Sequence, residues 1–256
     1  AFVNLYNKGL IYKGYRLVNW CPASKSAISD EEVVYKEKNS NLWYLRYPIK
    51  NSKKYIVVAT TRPETMLGDT AIAINPNDSR YQHLVGEKID LPIVNREIPI
   101  IFDEYVDPEF GTGCVKITPA HDPNDFIIYE KHKIDIINIM NQDATLNENV
   151  PKAYTGLSRE SGREKVIDDF KRLGLLEKVE SYVNKIGYSE RGGVPIEPYL
   201  SEQWFMKMEA LAKPAIKVIK ENKINFHPKH WEKTYNHWMS NIKDWCISRQ
   251  LWWGHQ

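Results

Sequence analysis

Cysteine is scarce in this 256-residue chain. Cys21, Cys114 and Cys246 are the only three, odd in number and far apart. That argues against a disulfide framework, and a reducing, cytoplasmic setting is the expectation. No stretch reaches the roughly 20 apolar residues that cross a bilayer, and the opening Ala1-Phe2-Val3-Asn4 lacks the basic, apolar and small-residue succession of a signal peptide. An initiating Met is also missing, which suggests an excised piece of a longer protein. Neither sign of charge dominates. With 35 Lys and Arg against 33 Asp and Glu the net charge is +2, so composition neither demands nor excludes a nucleic-acid partner. No Gly-x-Ser-x-Gly elbow occurs, which argues against a serine hydrolase. Gly111-Thr112-Gly113-Cys114-Val115-Lys116 lacks the Gly-Lys-Ser/Thr ending of a phosphate loop and leads into a strand.

What is present is ordinary in bulk and particular in pattern. At 42% hydrophobic and 27% charged, the chain has a soluble globular composition and is long enough for one large domain or two smaller ones. Phe2 to Lys8 has helical spacing and stops at Gly9. Short strands are expected at 15–20 and 32–35. Aromatic and β-branched runs then predict strands at 42–47, 55–60, 70–74, 88–94, 98–102 and 114–118, punctuated by Gly and Pro in the manner of a barrel or sandwich. Asp122 is placed to cap a helix with Pro123 in its first position. Ser158 to Leu173 reads as a helix ended by Gly174, with Val166, Ile167 and Phe170 on one face. Ser201 is expected to open a helical run that Pro214 interrupts. Trp231, Tyr235, Trp238 and Ile242 form a stripe at helical spacing, expected to be packing. A boundary is expected at 185–200, where Gly187, Gly192, Gly193, Pro195 and Pro198 cluster.

Two segments carry the chemistry. Thr60-Thr61-Arg62-Pro63-Glu64-Thr65 is answered fifty residues later by Lys116-Ile117-Thr118-Pro119-Ala120-His121-Asp122-Pro123-Asn124-Asp125. Each joins a strand to a turn and gathers hydroxyls, a cation and carboxylates, a combination suited to a ligand with an ammonium, a hydroxyl and an ester or phosphate. Cys114, Lys116 and Thr118 share one strand face, which either meets solvent or lines a pocket. Asp122 and Asp125 suit a helix start on structural grounds alone; as functional groups, one would point at a ligand ammonium. Cys21-Pro22-Ala23-Ser24 is half of a zinc knuckle without its second cysteine, and its counterpart Ser189-Glu190-Arg191-Gly192 has none either, so no zinc is expected. Cys114 and Cys246 are expected as buried core thiols.

Several segments together resemble the valyl-tRNA synthetases of class I. They are Val18-Asn19-Trp20-Cys21-Pro22, the run from Thr60 to Thr70, the run from Phe110 to Phe126, the run from Gly193 to Phe205, and the run from Ile247 to His255. His121 to Phe126 and Leu251-Trp252-Trp253-Gly254-His255 look more valyl than isoleucyl. The resemblance implies the connective insertion of such an enzyme, which carries post-transfer editing: hydrolysis of threonine mistakenly esterified to tRNA(Val). The family's His-Ile-Gly-His and Lys-Met-Ser-Lys-Ser signatures are absent. The resemblance therefore places ATP and Mg, and the attachment of valine, outside this chain, and implies no cofactor for editing. His255 would belong to a segment returning to the catalytic domain.

The same resemblance implies an α+β architecture: a β-barrel-like editing domain over 41–185, an N-terminal helix and connecting ribbon over 1–40, and a return ribbon with helices over 186–256. Asp125 would hold the substrate ammonium, and Asp122 the threonine hydroxyl or the orientation of the site. Thr60, Thr65, Thr118 and His121 would line the pocket. Arg62 and Lys116 would meet the terminal adenosine or steady the ester, and Phe110 would pack against that adenosine. The implied partners are the tRNA 3′ end and the rest of the synthetase chain, in a monomer. Two alternatives stay open: an isoleucyl- or leucyl-type editing domain, and a tRNA-docking insertion without chemistry.

Overall fold

The computed structural model describes residues 1–254; His255, which the sequence assigned to a returning segment, lies outside the described residues. The chain runs through α1 (Phe2–Asn7), β1 (Ile11–Cys21), β2 (Ser26–Ile28), β3 (Val33–Pro48), β4 (Tyr55–Thr60), β5 (Ala71–Ile74), β6 (Lys88–Leu91), β7 (Arg96–Phe102), β8 (Cys114–Ile117), α2 (Pro123–His132), α3 (Arg159–Arg172), β9 (Leu176–Ser189), β10 (Glu197–Met206), α4 (Glu209–Lys220), α5 (Trp231–Ser240) and β11 (Trp245–Cys246). It is a mixed α and β molecule in which nearly all strand pairing is antiparallel; among the described residues only β5 and β7 run parallel.

Three sheets form: β11-β10-β1-β2, β4-β3-β9 and β6-β7-β5-β8. The last two face a common core that includes Leu45, Val58, Leu67, Ile72, Ile89 and Phe170, all fully buried or nearly so. This wrap gives the expected apolar interior, but no closed barrel forms among the described residues. Between β3 and β6 the ladder is reduced to the single bridge Ile49–Ile89, and β4 and β8 lie alongside each other without pairing. Strand patterning predicts an apolar face; it does not predict whether the edges meet.

β3 and β9 form a long two-stranded ribbon from Val33–Ser189 to Leu45–Leu176, with an irregularity at Tyr44/Leu45. Both strands run uninterrupted through positions 40/41 and 185/186. A second ribbon, β1 with β10, pairs Ile11–Met206 through Trp20–Glu197. Here the expected helix from Ser201 is replaced by a strand: Ser201 sits opposite Arg16, and Leu200, Gln203 and Phe205 are buried. Pairing with β1 overrides local propensity, and the helix that carries Pro214 begins only at Glu209. The tryptophan stripe does form a helix, but Trp231 and Trp238 are 52% and 64% exposed and α5 buries no residue, so the expected packing role is not met. Cys114 is a buried thiol as expected, whereas Cys246 is only half-buried.

Candidate functional site

The site lies where β4 and β8 end. After Thr60 the chain turns through a buried 3-10 segment at Pro63–Gly68. After β8, Thr118 leads through a tight turn into α2. Asp122 caps that helix, its Oδ1 accepting from the Asn124 and Asp125 amides at 2.8 and 3.3 Å. Asp125, one turn in, is therefore free of capping duty and does something else: its Oδ2 accepts the backbone N–H of Thr118 at 2.8 Å. The helix start is thus stapled back onto the strand end. Asp125 is 6% exposed, and its Oδ1 takes no hydrogen bond from any described residue.

Burial pushes the Asp125 carboxyl up to about 7, and the neighbouring Asp122 charge adds to the rise against the opposing pull of Lys116. A carboxylate so placed lacks a counter-charge at its open oxygen, which is the condition a cationic ligand relieves.

Behind it sits a closed polar cluster. Lys116 Nζ donates to Thr65 Oγ1 at 2.7 Å, Thr118 Oγ1 at 2.5 Å and Asp69 Oδ1 at 3.0 Å. Thr65 in turn donates to the Arg62 carbonyl, and Thr118 to Asp69 Oδ1. An ammonium has three hydrogens, and all three of Lys116 are engaged within the protein. Lys116 is therefore brought to the site, but as a brace under Thr65 and Thr118.

Arg62 is likewise engaged. Its nitrogens donate to Glu64, the His121 carbonyl and Glu197 at 3.3, 3.3 and 2.7 Å. Glu64, fully buried, also takes a two-pronged contact from Arg163 at 2.8 and 2.9 Å, and Glu197 is held as well by Arg159 at 2.5 Å. Burial opposes the ionised form of Glu64, but the hydrogen bonds of Arg163 and the charges of both arginines outweigh it and hold the carboxyl below its ordinary value.

His121 is 2% exposed, and its Nε2 accepts from the Ile139 amide at 3.0 Å. Burial, Arg62 and Lys116 push its pKa down to about 3, so the ring is neutral; it buttresses the loop before Ile139 through Nε2 and leaves a buried Nδ1 without a partner among the described residues. Thr60 Oγ1 accepts from the Arg62 amide, leaving its hydrogen available. Phe110 stands 63% exposed on the turn between β7 and β8. A Cβ on Gly111, the residue after it, would lie 3.4 Å from that of Ala59 on β4, so this turn sits beside the strand that delivers Thr60. Eight of the nine residues singled out in the sequence are joined in one neighbourhood: Thr60, Asp122 and Asp125 keep open groups and the buried Nδ1 of His121 has no partner among the described residues, while Arg62, Thr65, Lys116 and Thr118 are committed to the frame; the Phe110 turn flanks β4 on its Ala59 side, the face opposite the Thr60 side chain.

Sequence reasoning assigned no role to Asp69 and left Glu64 as an unassigned carboxylate of the first segment. Asp69, fully buried, takes Lys116, Thr118 and the Tyr47 hydroxyl, the last at 2.7 Å. Glu64 joins two arginines 99 and 2 positions away in sequence. The available signal was a carboxylate within an otherwise apolar run, Met66-Leu67-Gly68-Asp69-Thr70-Ala71. Two open depressions elsewhere, about 290 Å³ beside Lys229 to Asn236 and about 430 Å³ beside Trp43 and α3, do not border Asp125. Among the described residues no cluster of three or more His, Cys, Asp or Glu could hold a metal ion. The two halves of the would-be knuckle do meet: a Cβ on Gly192 would fall 2.5 Å from Cys21 Sγ, and the Gly192 amide donates to Ser189 Oγ at 3.0 Å. No helix among the described residues is long and apolar enough to cross a membrane.

Comparison with known proteins gives a consistent result. The family model described as tRNA synthetases class I (I, L, M and V) matches residues 1–256. The chain is similar to the valine–tRNA ligase of Porphyromonas gingivalis, 57% identical over 257 residues, and to that of Clostridium tetani, 54% identical over 256 residues. The valine–tRNA ligase of Geobacillus kaustophilus is likewise 57% identical over 257 residues. Each alignment covers 100% of this chain and 29% of the relative, so the chain spans under a third of the length of these relatives. Among solved structures, the LeuRS–tRNA–LeuAMS ternary complex from Agrobacterium radiobacter covers 77% of this chain and 32% of its own, at 16% identity and a TM-score of 0.43, a likeness too slight to bear on function.

Proposed function

Because the chain belongs to the class I tRNA synthetases, we propose that it is the editing portion of a valine–tRNA ligase, hydrolysing threonine wrongly esterified to tRNA(Val). Valine attachment, with its ATP and Mg, is assigned to portions of the enzyme outside this chain, and residues 41–185 to the editing unit.

The physical need for such a site is general. A hydrophobic pocket built for valine cannot strongly reject threonine, which replaces a methyl by a hydroxyl; this pair is itself a standard instance of that limit. A second site can separate them by offering hydrogen bonds to the hydroxyl, since valine would leave buried polar groups unmatched.

The observation that carries the reading is the open Oδ1 of Asp125, on a buried carboxylate whose other oxygen is fixed by the Thr118 amide. It suits the α-ammonium of an aminoacyl ester. The second oxygen of Asp122 and the hydrogen of Thr60 are the nearby groups for the threonine hydroxyl, and exposed Phe110 offers a face for the terminal adenosine. Hydrolysis adds a water oxygen to the ester carbonyl; the carbonyl–ribose oxygen bond then breaks, and the ribose oxygen takes a proton. No open hydroxyl or thiol in the cluster is paired with an activating base, which favours a positioned water without a covalent intermediate. Arg62 and Lys116 act on the substrate only through the groups they hold.

A deacylation assay in the intact polypeptide tests this. Threonyl-tRNA(Val) is hydrolysed, valyl-tRNA(Val) is spared, and no burst of acyl-enzyme precedes turnover. Equal loss of both esters, or none above background, would sink the reading. Hydrolysis of valyl-tRNA(Ile) in preference to the threonyl ester would instead favour an isoleucyl-type site.

A further inference from the structure

We propose that Asp69 is the positioning residue of this site: its buried carboxylate fixes Lys116 and Thr118, and through the Thr118 amide sets the orientation of Asp125. The inference rests on the editing reading for its catalytic consequence, but its geometry stands apart from it.

Asp69 follows the 3-10 turn, its amide donating to the Met66 carbonyl at 3.1 Å. The turn itself is clamped by Arg96, which donates to the carbonyls of Leu67 and Asp69 at 3.0 and 2.8 Å. The Asp69 carboxylate is fully buried and receives three side-chain donors: Lys116 Nζ and Thr118 Oγ1 on Oδ1, and the Tyr47 hydroxyl on Oδ2. These come from the end of β3, the end of β8 and the residue after it. One carboxylate therefore ties the β3 and β8 sides of the site together beneath its floor.

Its effect on the site is directional. With Asp69 accepting, the Thr118 hydroxyl donates downward and accepts from Lys116, so its rotamer is fixed. The same residue's amide holds Asp125 Oδ2 at 2.8 Å. A filler role would not require charge, because a buried ion pair adds little net stability over well-packed apolar residues. Fixing this geometry uses acceptors on both oxygens at once, Oδ1 for Lys116 and Thr118 and Oδ2 for Tyr47, which a carboxylate offers and an amide does not.

The test compares Asp69→Asn and Tyr47→Phe with wild type in the intact polypeptide, by steady-state deacylation of threonyl-tRNA(Val) and by hydrogen exchange at the Thr118 amide. For Asp69→Asn, kcat falls on the order of 10²-fold, the scale on which misplacement of about 1 Å acts, while KM stays within about twofold because binding groups remain. Thr118 exchange accelerates relative to the amides of β5. Tyr47→Phe, which removes one donor and leaves the ion pair, gives a smaller fall in kcat at unchanged KM. Wild-type kcat in Asp69→Asn, or a loss confined to KM, overturns the proposal. If Asp69→Asn does not fold, unchanged kcat in Tyr47→Phe overturns it. If wild type itself shows no deacylation, the editing reading fails, and the exchange measurement alone decides Asp69: unaltered Thr118 protection in the variants contradicts it.

Discussion

Among single residues of the site, the buried charges are satisfied within the chain with one exception. Lys116, Arg62, Glu64 and Glu197 each find opposite charge within the chain; Asp125 finds an amide and the repulsion of Asp122. This has a consequence for stability. An unfolded Asp titrates near 3.9, and Asp125 is pushed up to about 7. Between roughly pH 4 and pH 7 the folded state keeps a proton that the unfolded state releases, so this group lowers stability as pH rises through that window. Asp125→Asn keeps an oxygen for the Thr118 amide and removes the ionisation. We predict that thermal denaturation finds Asp125→Asn as stable as wild type near pH 4 and more stable near pH 8, while deacylation is lost. A variant less stable than wild type at pH 8 would show that Asp125 serves the helix start alone. The sequence made Asp125, Asp122 and Lys116 legible because they crowd one junction. It hid the roles of Asp69 and Glu64 because the value of a buried charge lies in partners far along the chain: 47 positions separate Asp69 from Lys116 and 99 separate Glu64 from Arg163.

At the scale of elements, most strands of the core and the two helices with clear caps were readable, since period-two alternation and the Asp122 and Ser158 caps are local signals; β9, polar and exposed along most of its length, carries no such alternation and was not expected. The errors came where tertiary pairing decides. Ser201 sits in a strand because β1 lies beside it, and α5 shows its tryptophans to solvent because no described element covers them. What joins the elements around the site is ionic. Glu64 and Glu197 link the 3-10 turn after β4 to α3 and β10 through three arginines. Removing Glu64 leaves the partly exposed Arg163 without its two-pronged partner, while Arg62 keeps Glu197. Glu64→Ala is therefore expected to cost about 2–3 kcal/mol, below the figure for a fully buried pair because both guanidiniums reach solvent, read as a lowered urea midpoint at unchanged slope. A loss below about 1 kcal/mol, the range of exposed pairs, would mean that Arg62 and Arg163 find solvent instead.

At the scale of the whole molecule, two long ribbons carry a compact wrapped core, and the site opens where two strand ends of that core meet a helix start. The family relation covers every residue but under a third of the relatives' length. With a net charge of +2, this chain brings few surplus cations to a phosphate backbone, whose binding scales with the number of neutralised phosphates. The chain alone should thus deacylate threonyl-tRNA(Val) with a much higher KM than the intact polypeptide and a comparable kcat; equal KM values at the same salt would show that these residues hold tRNA unaided. The most direct measurement is a crystal structure with a non-hydrolysable threonyl-adenosine analogue. The account predicts its ammonium within hydrogen-bond distance of Asp125 Oδ1, with Lys116 still bonded to Asp69 and Thr118. An analogue bound away from the ends of β4 and β8, or one whose ammonium makes no contact with Asp125, would contradict it.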